Sequence, residues 1–230
     1  FPPKRHFARP GALTSHKTQQ EVTAMNQTAK RWVLFLVGIQ CLAIGIVCNT
    51  RTNLGVAAFT SVFYAISQIY HISLGTASIL LYLILIAIQI LLLRKVSLQV
   101  LLQIPFSLVF GWVTDVYDAL LPFHDLTLPQ AFLLLFTAFI FTSWGVFLTV
   151  QYNFVVTPVE GIVNTISKVF HLDFGMVKNC FDLSMIAITV VLCLALGQPV
   201  IGIGVGTVLS ALILGRLISL YGKKITLFTT

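Results

Sequence analysis

Six long apolar runs constrain the fold of this chain more than any other feature of its sequence. The runs are Trp32–Thr50, Gly75–Leu93, Ser97–Val116, Leu128–Val150, Val177–Leu196 and Val200–Tyr221. Each reaches the roughly 17–25 residues that a helix needs to cross about 30 Å of hydrocarbon. Inside a lipid bilayer the backbone must satisfy its own hydrogen bonds, and a helix does so within one segment. The runs therefore predict an all-α polytopic membrane protein.

Composition supports this class and argues against nucleic-acid binding. Charged residues make up 9% of the chain, whereas a soluble domain carries roughly 25%. The net charge is +7, but six of the 14 Lys and Arg residues precede position 32 and most others flank apolar runs. Positive charge at the ends of spans is typical of membrane insertion. We expect the lipid bilayer as the partner, and no nucleic acid.

The chain also contains an internal repeat. Residues 32–90 align with residues 132–190 at a constant shift of one hundred, without a gap. The shift pairs Gly45 with Gly145, Asn53 with Asn153, Ser67 with Ser167, His71 with His171 and Gly75 with Gly175. Two related units in a very apolar chain are a common plan for transporters, in which the working site lies between the halves.

Each repeat contains one apolar segment that is too short to span. Segments 57–70 and 157–170 have fourteen residues each, which as a helix is only about 21 Å. Both carry polar side chains, so we interpret them as re-entrant or half helices. This favours two inverted repeats, each of three spans and one short helix. The alternative is eight spans in two parallel repeats.

The charges give an orientation. With both termini in the cytoplasm, Arg94, Lys95 and Lys168 lie inside, as the positive-inside rule requires, and only Arg51 breaks the rule. We assign residues 1–30 to a disordered or extension segment, 31–120 to the first repeat and 121–230 to the second repeat with a short tail. Met25 just precedes the first apolar run, which makes it a candidate start and residues 1–24 an extension.

Glu160 has two interpretations. In Thr157-Pro158-Val159-Glu160, threonine suits the N-cap, proline the first helical position, and Glu160 completes a capping box. Alternatively, it is a carboxylate at membrane depth, which is costly and usually serves a transport pathway or proton relay. The first repeat has Thr60 at the same place. A carboxylate in one half only suits an asymmetric task.

Four further residues are candidates for a substrate site or pathway. Asn53 and Asn153 precede the two short helices, where they suit either a turn or a cavity lining. Asn164 is a polar group within the second short helix. Asp182 lies deep in a span, four residues after Lys178, so the two side chains face one another on the helix and can neutralise each other. His71 and His171 are expected to cap the short helices at their C-terminal ends.

Enzymatic and metal chemistry have little support in the sequence. Cys41, Cys48, Cys180 and Cys193 all lie in apolar runs, without a Cys-x-x-Cys motif, and are expected to be small buried residues. No Ser-His pair, paired aspartates or His-rich cluster has convincing spacing. We expect no cofactor, no metal and no enzymatic activity.

Several short motifs resemble the YczE/YyaS/YitT family of bacterial integral membrane proteins. They are Thr52-Asn53-Leu54-Gly55, Leu74-Gly75-Thr76-Ala77, Thr157-Pro158-Val159-Glu160-Gly161, and Gly206-Thr207 with Gly215. The similarity covers roughly residues 30–222. This resemblance implies a bacterial inner-membrane location and assigns no substrate.

These observations lead to two hypotheses of different classes. The first is a small-molecule or ion transporter, or a channel-like protein, with a site between the repeats near the middle of the bilayer. The second is an accessory or signalling membrane protein that partners another complex. Scarce charge and short loops offer little docking surface outside the membrane, which favours transport.

Overall fold

The computed structural model describes residues 11–121, 123, 126–152 and 154–226, and helices are the regular secondary structure found among them. Nine helices follow one another in that part of the chain. They are α1 (Gly11–Arg51), α2 (Ala58–Tyr70), α3 (Leu74–Leu93), α4 (Leu98–Leu101), α5 (Gln103–Leu120), α6 (Leu128–Tyr152), α7 (Pro158–Phe170), α8 (Phe174–Ala195) and α9 (Val205–Thr226). Residues 11–30, expected to be disordered or an extension, belong to α1.

Five segments are long and apolar enough to cross a membrane. They are Thr28–Arg51, Leu74–Leu93, Leu98–Leu120, Leu128–Tyr152 and Phe174–Ala195. The third combines α4 and α5, which are separated only by Leu102. The break lies just before Pro105, whose missing N–H and bulky ring disturb the preceding turn. The chain is therefore a helical membrane protein.

The sixth predicted span starts later than its apolar run. Residues 200–204 are not helical, and Gly202 has φ +79°. Backbone hydrogen bonds hold this stretch against the end of the α1–α2 loop: Val56 N–H donates to Gly202 O (2.8 Å) and Gly206 N–H to Leu54 O (2.7 Å). The described apolar part of α9, Val205–Ile218, is thus shorter than a full span. Gly204 and Gly206 permit a close approach to this loop rather than to another helix.

The two short helices match their predicted positions. Both α2 and α7 have 13 residues, about 20 Å of helix. His71 and His171 end them in the left-handed conformation, each with φ 54°, and so act as the expected C-caps. The Ser67 hydroxyl donates to Ile72 O at 2.8 Å, and the Ser167 hydroxyl donates to Leu172 O at 2.7 Å. The turns after the two helices are therefore built alike.

Helices α1 and α6 cross in the centre of the protein and run antiparallel. A Cβ on Gly45 would overlap Thr142, and a Cβ on Gly145 would overlap the backbone at Leu42. A Cβ on Gly38 would press on Leu148 and Thr149. Gly38 meets Leu148 and Thr149, whereas Gly45, further along α1, meets Thr142, which comes earlier in α6; the two helices therefore run in opposite directions. Glycine at the crossing lets the backbones approach closely.

Each short helix packs against the long helix that follows the other short helix. Helix α2 lies on α8, where the hydroxyl oxygens of Ser61 and Thr189 are 2.7 Å apart. Helix α7 lies on α3, where Gly161 faces the side chain of Gln89. Gln89 and Gln103 form a reciprocal amide pair (2.9 and 3.1 Å) beside this contact. All of these polar side chains are buried, so their hydrogen bonds offset a large desolvation cost.

Candidate functional site

Glu160 stands in the first turn of α7, where the capping box was predicted. The Thr157 hydroxyl accepts a hydrogen bond from the Glu160 N–H at 3.4 Å, so threonine acts as the N-cap. Proline at position 158 occupies the first helical position as expected. Within the described part of the chain, the Glu160 carboxylate does not bond back to the Thr157 N–H. Only the Thr157 half of the capping box is formed. Helix capping therefore does not explain why residue 160 carries a carboxylate.

The carboxylate lies inside the protein without a hydrogen-bond partner. Glu160 Oε2 is shielded from solvent and accepts no hydrogen bond from the described residues. Thr60 has the matching place on α2, and its buried hydroxyl also lacks a partner there. Burying a polar group unpaired is unfavourable, and a charged group costs more. An unpaired acid of this kind is a candidate for binding a ligand or an ion.

Lys178 and Asp182 form an ion pair on α8 close to this carboxylate. Lys178 Nζ is 2.9 Å from Asp182 Oδ1, which confirms the predicted contact across one helical turn. The ammonium also lies 5.7 Å from the ring centres of both Phe59 and Phe181, within range of a cation–π interaction. Both charged side chains are partly exposed, at 29% and 31%, as expected for residues that line a cavity.

Two adjoining chambers contain these groups. The large chamber has a volume of about 480 Å³ and the small chamber about 220 Å³. Both are lined by Val146, Glu160, Lys178 and Ile218. The large chamber adds Thr149, Val150, Val155, Val156, Thr157, Asn164 and Phe174. The small chamber adds Ala57, Ala58, Phe59, Thr142, Asn179, Asp182, Ser210, Ala211 and Leu214. The walls are mainly apolar, and the polar groups are few, as in typical small-molecule sites.

The small chamber lies between α8 and α9. Helix α9 packs on α6 and α2, while Asn179 and Asp182 of α8 face Ser210 and Leu214 of α9 across the cavity. In the first half of the chain, the corresponding helices α3 and α5 pack directly against each other. A Cβ on Gly75 would overlap the backbone there, at Gly111. The small chamber beside Glu160 thus lies between α8 and α9, whereas α3 and α5, at the corresponding place in the first half, are in direct contact.

The structure brings some of the predicted site residues together and separates others. Glu160 and Asp182 share the small chamber, and Asn164 shares the large chamber with Glu160. Asn53 instead lies in the turn after α1, with φ 54°, and lines two other pockets, away from the chambers. Asn153 lies outside the described residues.

A second polar pocket, of about 270 Å³, contains Asn53 and an ion pair. Arg51 Nη2 is 2.8 Å from Asp118 Oδ1, so the one residue that breaks the positive-inside rule is neutralised by an acid. Thr50, Tyr64 and Leu74 line this pocket, and Val150, Asn164 and Phe174, each one hundred residues later, line the large chamber. The pocket and the chamber therefore occupy corresponding places in the two halves of the sequence.

Sequence reasoning missed several residues of the chambers. Phe59, Val146 and Ile218 look like ordinary apolar positions, and no local signal distinguishes them. The Gln89–Gln103 amide pair was also missed, although two glutamines inside apolar runs were a usable signal. No group of three or more His, Cys, Asp or Glu side chains suited to a metal ion occurs among the described residues.

Comparison with known sequences assigns the chain to a family. Residues 29–223 match the profile of a family described as a family of unknown function (DUF6198). The match covers most of the chain, and the chain therefore belongs to this family. That description does not mention the YczE/YyaS/YitT proteins, so the resemblance to them stays a sequence-based expectation. No curated protein and no solved structure matches the chain.

Proposed function

We propose that this member of the DUF6198 family is a small-molecule transporter of the bacterial inner membrane. Its substrate would bind in the two chambers beside Glu160, between two inverted repeats. The observation that carries the proposal is Glu160, whose side chain lines both chambers and whose buried Oε2 has no hydrogen-bond partner among the described residues. A purely structural acid at this depth would be expected to have a partner.

The crossing of α1 and α6 supports inverted repeats. Helix α6 corresponds to α1 at the shift of one hundred, and the two helices run antiparallel through Gly45 and Gly145. Repeats related by an axis along the membrane normal would keep corresponding helices parallel. An antiparallel crossing fits an axis in the membrane plane, which is the arrangement of many secondary transporters.

Two contacts support short helices that enter and return without crossing. The Arg51–Asp118 ion pair joins the end of α1 to the end of α5. Lys95 and Lys168 line one pocket of about 260 Å³. With six spans and two re-entrant helices, the members of each pair lie on the same face. With eight spans, each pair would be divided between opposite faces. The positive-inside rule then assigns Lys95, Lys168 and both termini to the cytoplasm.

Transport requires that the chambers open to both sides of the membrane at different times. The test uses a variant without native cysteines that carries Val146→Cys, since Val146 lines both chambers. The protein is placed in proteoliposomes, and a membrane-impermeant thiol reagent is applied outside or trapped inside. We expect modification of Val146→Cys from both sides. Val96→Cys and Phe123→Cys, at exposed loop positions, serve as controls for each face.

The opposite result would favour the alternative role. If Val146→Cys reacts from one face only, while both controls react from their own faces, the cavity does not alternate. The transport proposal would then fail. A static cavity open to one face would instead support an accessory or signalling protein that binds a ligand or partner there.

A further inference from the structure

We infer that the two chambers take an amphipathic organic cation, with an ammonium or similar N–H-bearing group on an apolar body. This inference rests on the proposed function and refines it by naming the class of substrate. Three features of the cavity carry it: the balance of charge, the unpaired acceptor, and the apolar walls.

The charges that line the chambers do not balance. Glu160 and Asp182 are the acids among the described lining residues, and Lys178 is the base. Lys178 is already engaged, because its ammonium bonds Asp182 at 2.9 Å. The described lining of the two chambers therefore has one more acid than bases. A ligand with one positive charge would neutralise the cavity, whereas an anion would add to the excess of negative charge.

The Glu160 carboxylate lacks a hydrogen-bond donor. Its Oε2 is buried and has no donor among the described residues, and the partly exposed side chain lines both chambers. An ammonium N–H would supply a charge-assisted hydrogen bond, which is about twice as strong as a neutral one. The rings of Phe59 and Phe181 face the ammonium of Lys178, so these cation–π positions are occupied by the protein's own base.

The remaining walls fit an apolar body. Val146, Val150, Phe174 and Ile218 line the large chamber. Its volume of about 480 Å³ lies within the roughly 300–1,000 Å³ usual for small-molecule sites. A small hydrated inorganic cation would leave these apolar surfaces unused. An aromatic or aliphatic amine would instead bury its apolar part there while its ammonium group reaches Glu160.

Three probes with one aromatic body and different head groups test the inference. They are 2-phenylethylammonium, 3-phenylpropionate and 2-phenylethanol, titrated calorimetrically into the full chain in lipid nanodiscs, with empty nanodiscs subtracted. We expect saturable binding of the ammonium, at least tenfold tighter than binding of the carboxylate or the alcohol. Glu160→Gln should weaken binding of the ammonium at least tenfold, because the amide is neutral and of similar size.

Two control variants separate loss of the site from loss of the fold. Asp173→Asn removes a negative charge from the N-cap of α8, outside the chambers, and asparagine still caps a helix; it should bind the ammonium like the unmodified chain. Val146→Phe should block binding by filling the chamber while Glu160 keeps its charge. Thermal unfolding of each variant in the same nanodiscs shows whether it is folded.

Several results would overturn the inference. These are no saturable binding of the ammonium, equal binding of the carboxylate or the alcohol, or unchanged binding of the ammonium by folded Glu160→Gln or Val146→Phe. Failure of the cation inference can be told apart from failure of the transport proposal. Access of Val146→Cys from both faces without ammonium binding would reject only the cation class. Ammonium binding with access from one face would reject only transport.

Discussion

The hydroxyl oxygens of Ser61 and Thr189 lie 2.7 Å apart in a buried contact between α2 and α8. The residue one hundred positions after Ser61 is Gly161, and the residue one hundred positions before Thr189 is Gln89. These two residues also face each other, between α7 and α3. The two contacts therefore join positions that are equivalent at the shift of one hundred. The predicted repeat would place the contacts α2–α8 and α7–α3 at such equivalent positions.

The contact between the Ser61 and Thr189 hydroxyls should contribute measurably to stability, although each hydroxyl also lies within bonding distance of a carbonyl of its own helix. We expect the coupling energy between Ser61→Ala and Thr189→Val to be about 0.6 kcal/mol, a typical value for hydrogen bonds between membrane helices. The measurement is a double-mutant cycle on unfolding in detergent. Ser184→Ala is the matched control, because among the described residues the Ser184 hydroxyl bonds only the Phe181 carbonyl of its own helix. Additive effects of Ser61→Ala and Thr189→Val would mean that this hydrogen bond adds nothing to stability.

Replacing Glu160 with Gln should leave the fold intact. The Thr157 hydroxyl caps α7 without help from the carboxylate, and the change removes the cost of an unpaired buried charge. We expect an equal or slightly higher unfolding temperature in detergent, together with loss of transport once a substrate is available. Thr157→Val, which removes the cap itself, should cost about 1 kcal/mol. Full transport by a normally expressed Glu160→Gln would reject a functional role for this acid.

The Lys178–Asp182 ion pair should tolerate reversal better than removal. Lys178→Met leaves Asp182 without its base beside a second acid, so we expect a lower unfolding temperature. The double variant Lys178→Asp with Asp182→Lys restores a pair and places the acid first, which suits a helix better. Its unfolding temperature should recover most of the loss. If the double variant is as unstable as Lys178→Met, the ion pair is not what stabilises this region.

Labelling of single cysteines should show on which side of the membrane three loop positions lie. In a background without native cysteines, Val96→Cys and Leu172→Cys should react from one side of the membrane and Phe123→Cys from the other. All three positions are exposed. Six spans with re-entrant α2 and α7 require this pattern. Eight spans would put Val96→Cys and Leu172→Cys on opposite sides, and that result would exclude the re-entrant arrangement.

Local signals predicted the short helices well. The bounds of α2 and α7 lie within one residue of the predicted 57–70 and 157–170. Thr157, Pro158, His71 and His171 explain this, because caps act on the backbone nearest to them in sequence. The same logic gave the Lys178–Asp182 pair, whose partners lie one helical turn apart.

Features that depend on contacts between distant segments were not predictable in the same way. The start of α9 at Val205 is set by hydrogen bonds to Leu54 and Val56, roughly 150 residues earlier in the sequence. Whether Glu160 completes its capping box depends on the tertiary packing around it. The space between α8 and α9 cannot be predicted from the sequence of either helix alone. The sequence allowed a turn or a cavity lining for Asn53, and in the fold it lies at a turn and lines a polar pocket; only the fold shows that this pocket is separate from Glu160.

The backbone bonds between residues 54–56 and 202–206 have a mechanical consequence. They fasten the entrance of α2 to the entrance of α9, and α9 forms one wall of the small chamber. Because these bonds link the starts of the two helices, a displacement of α2 would be transmitted to α9 and so to one wall of the small chamber beside Glu160.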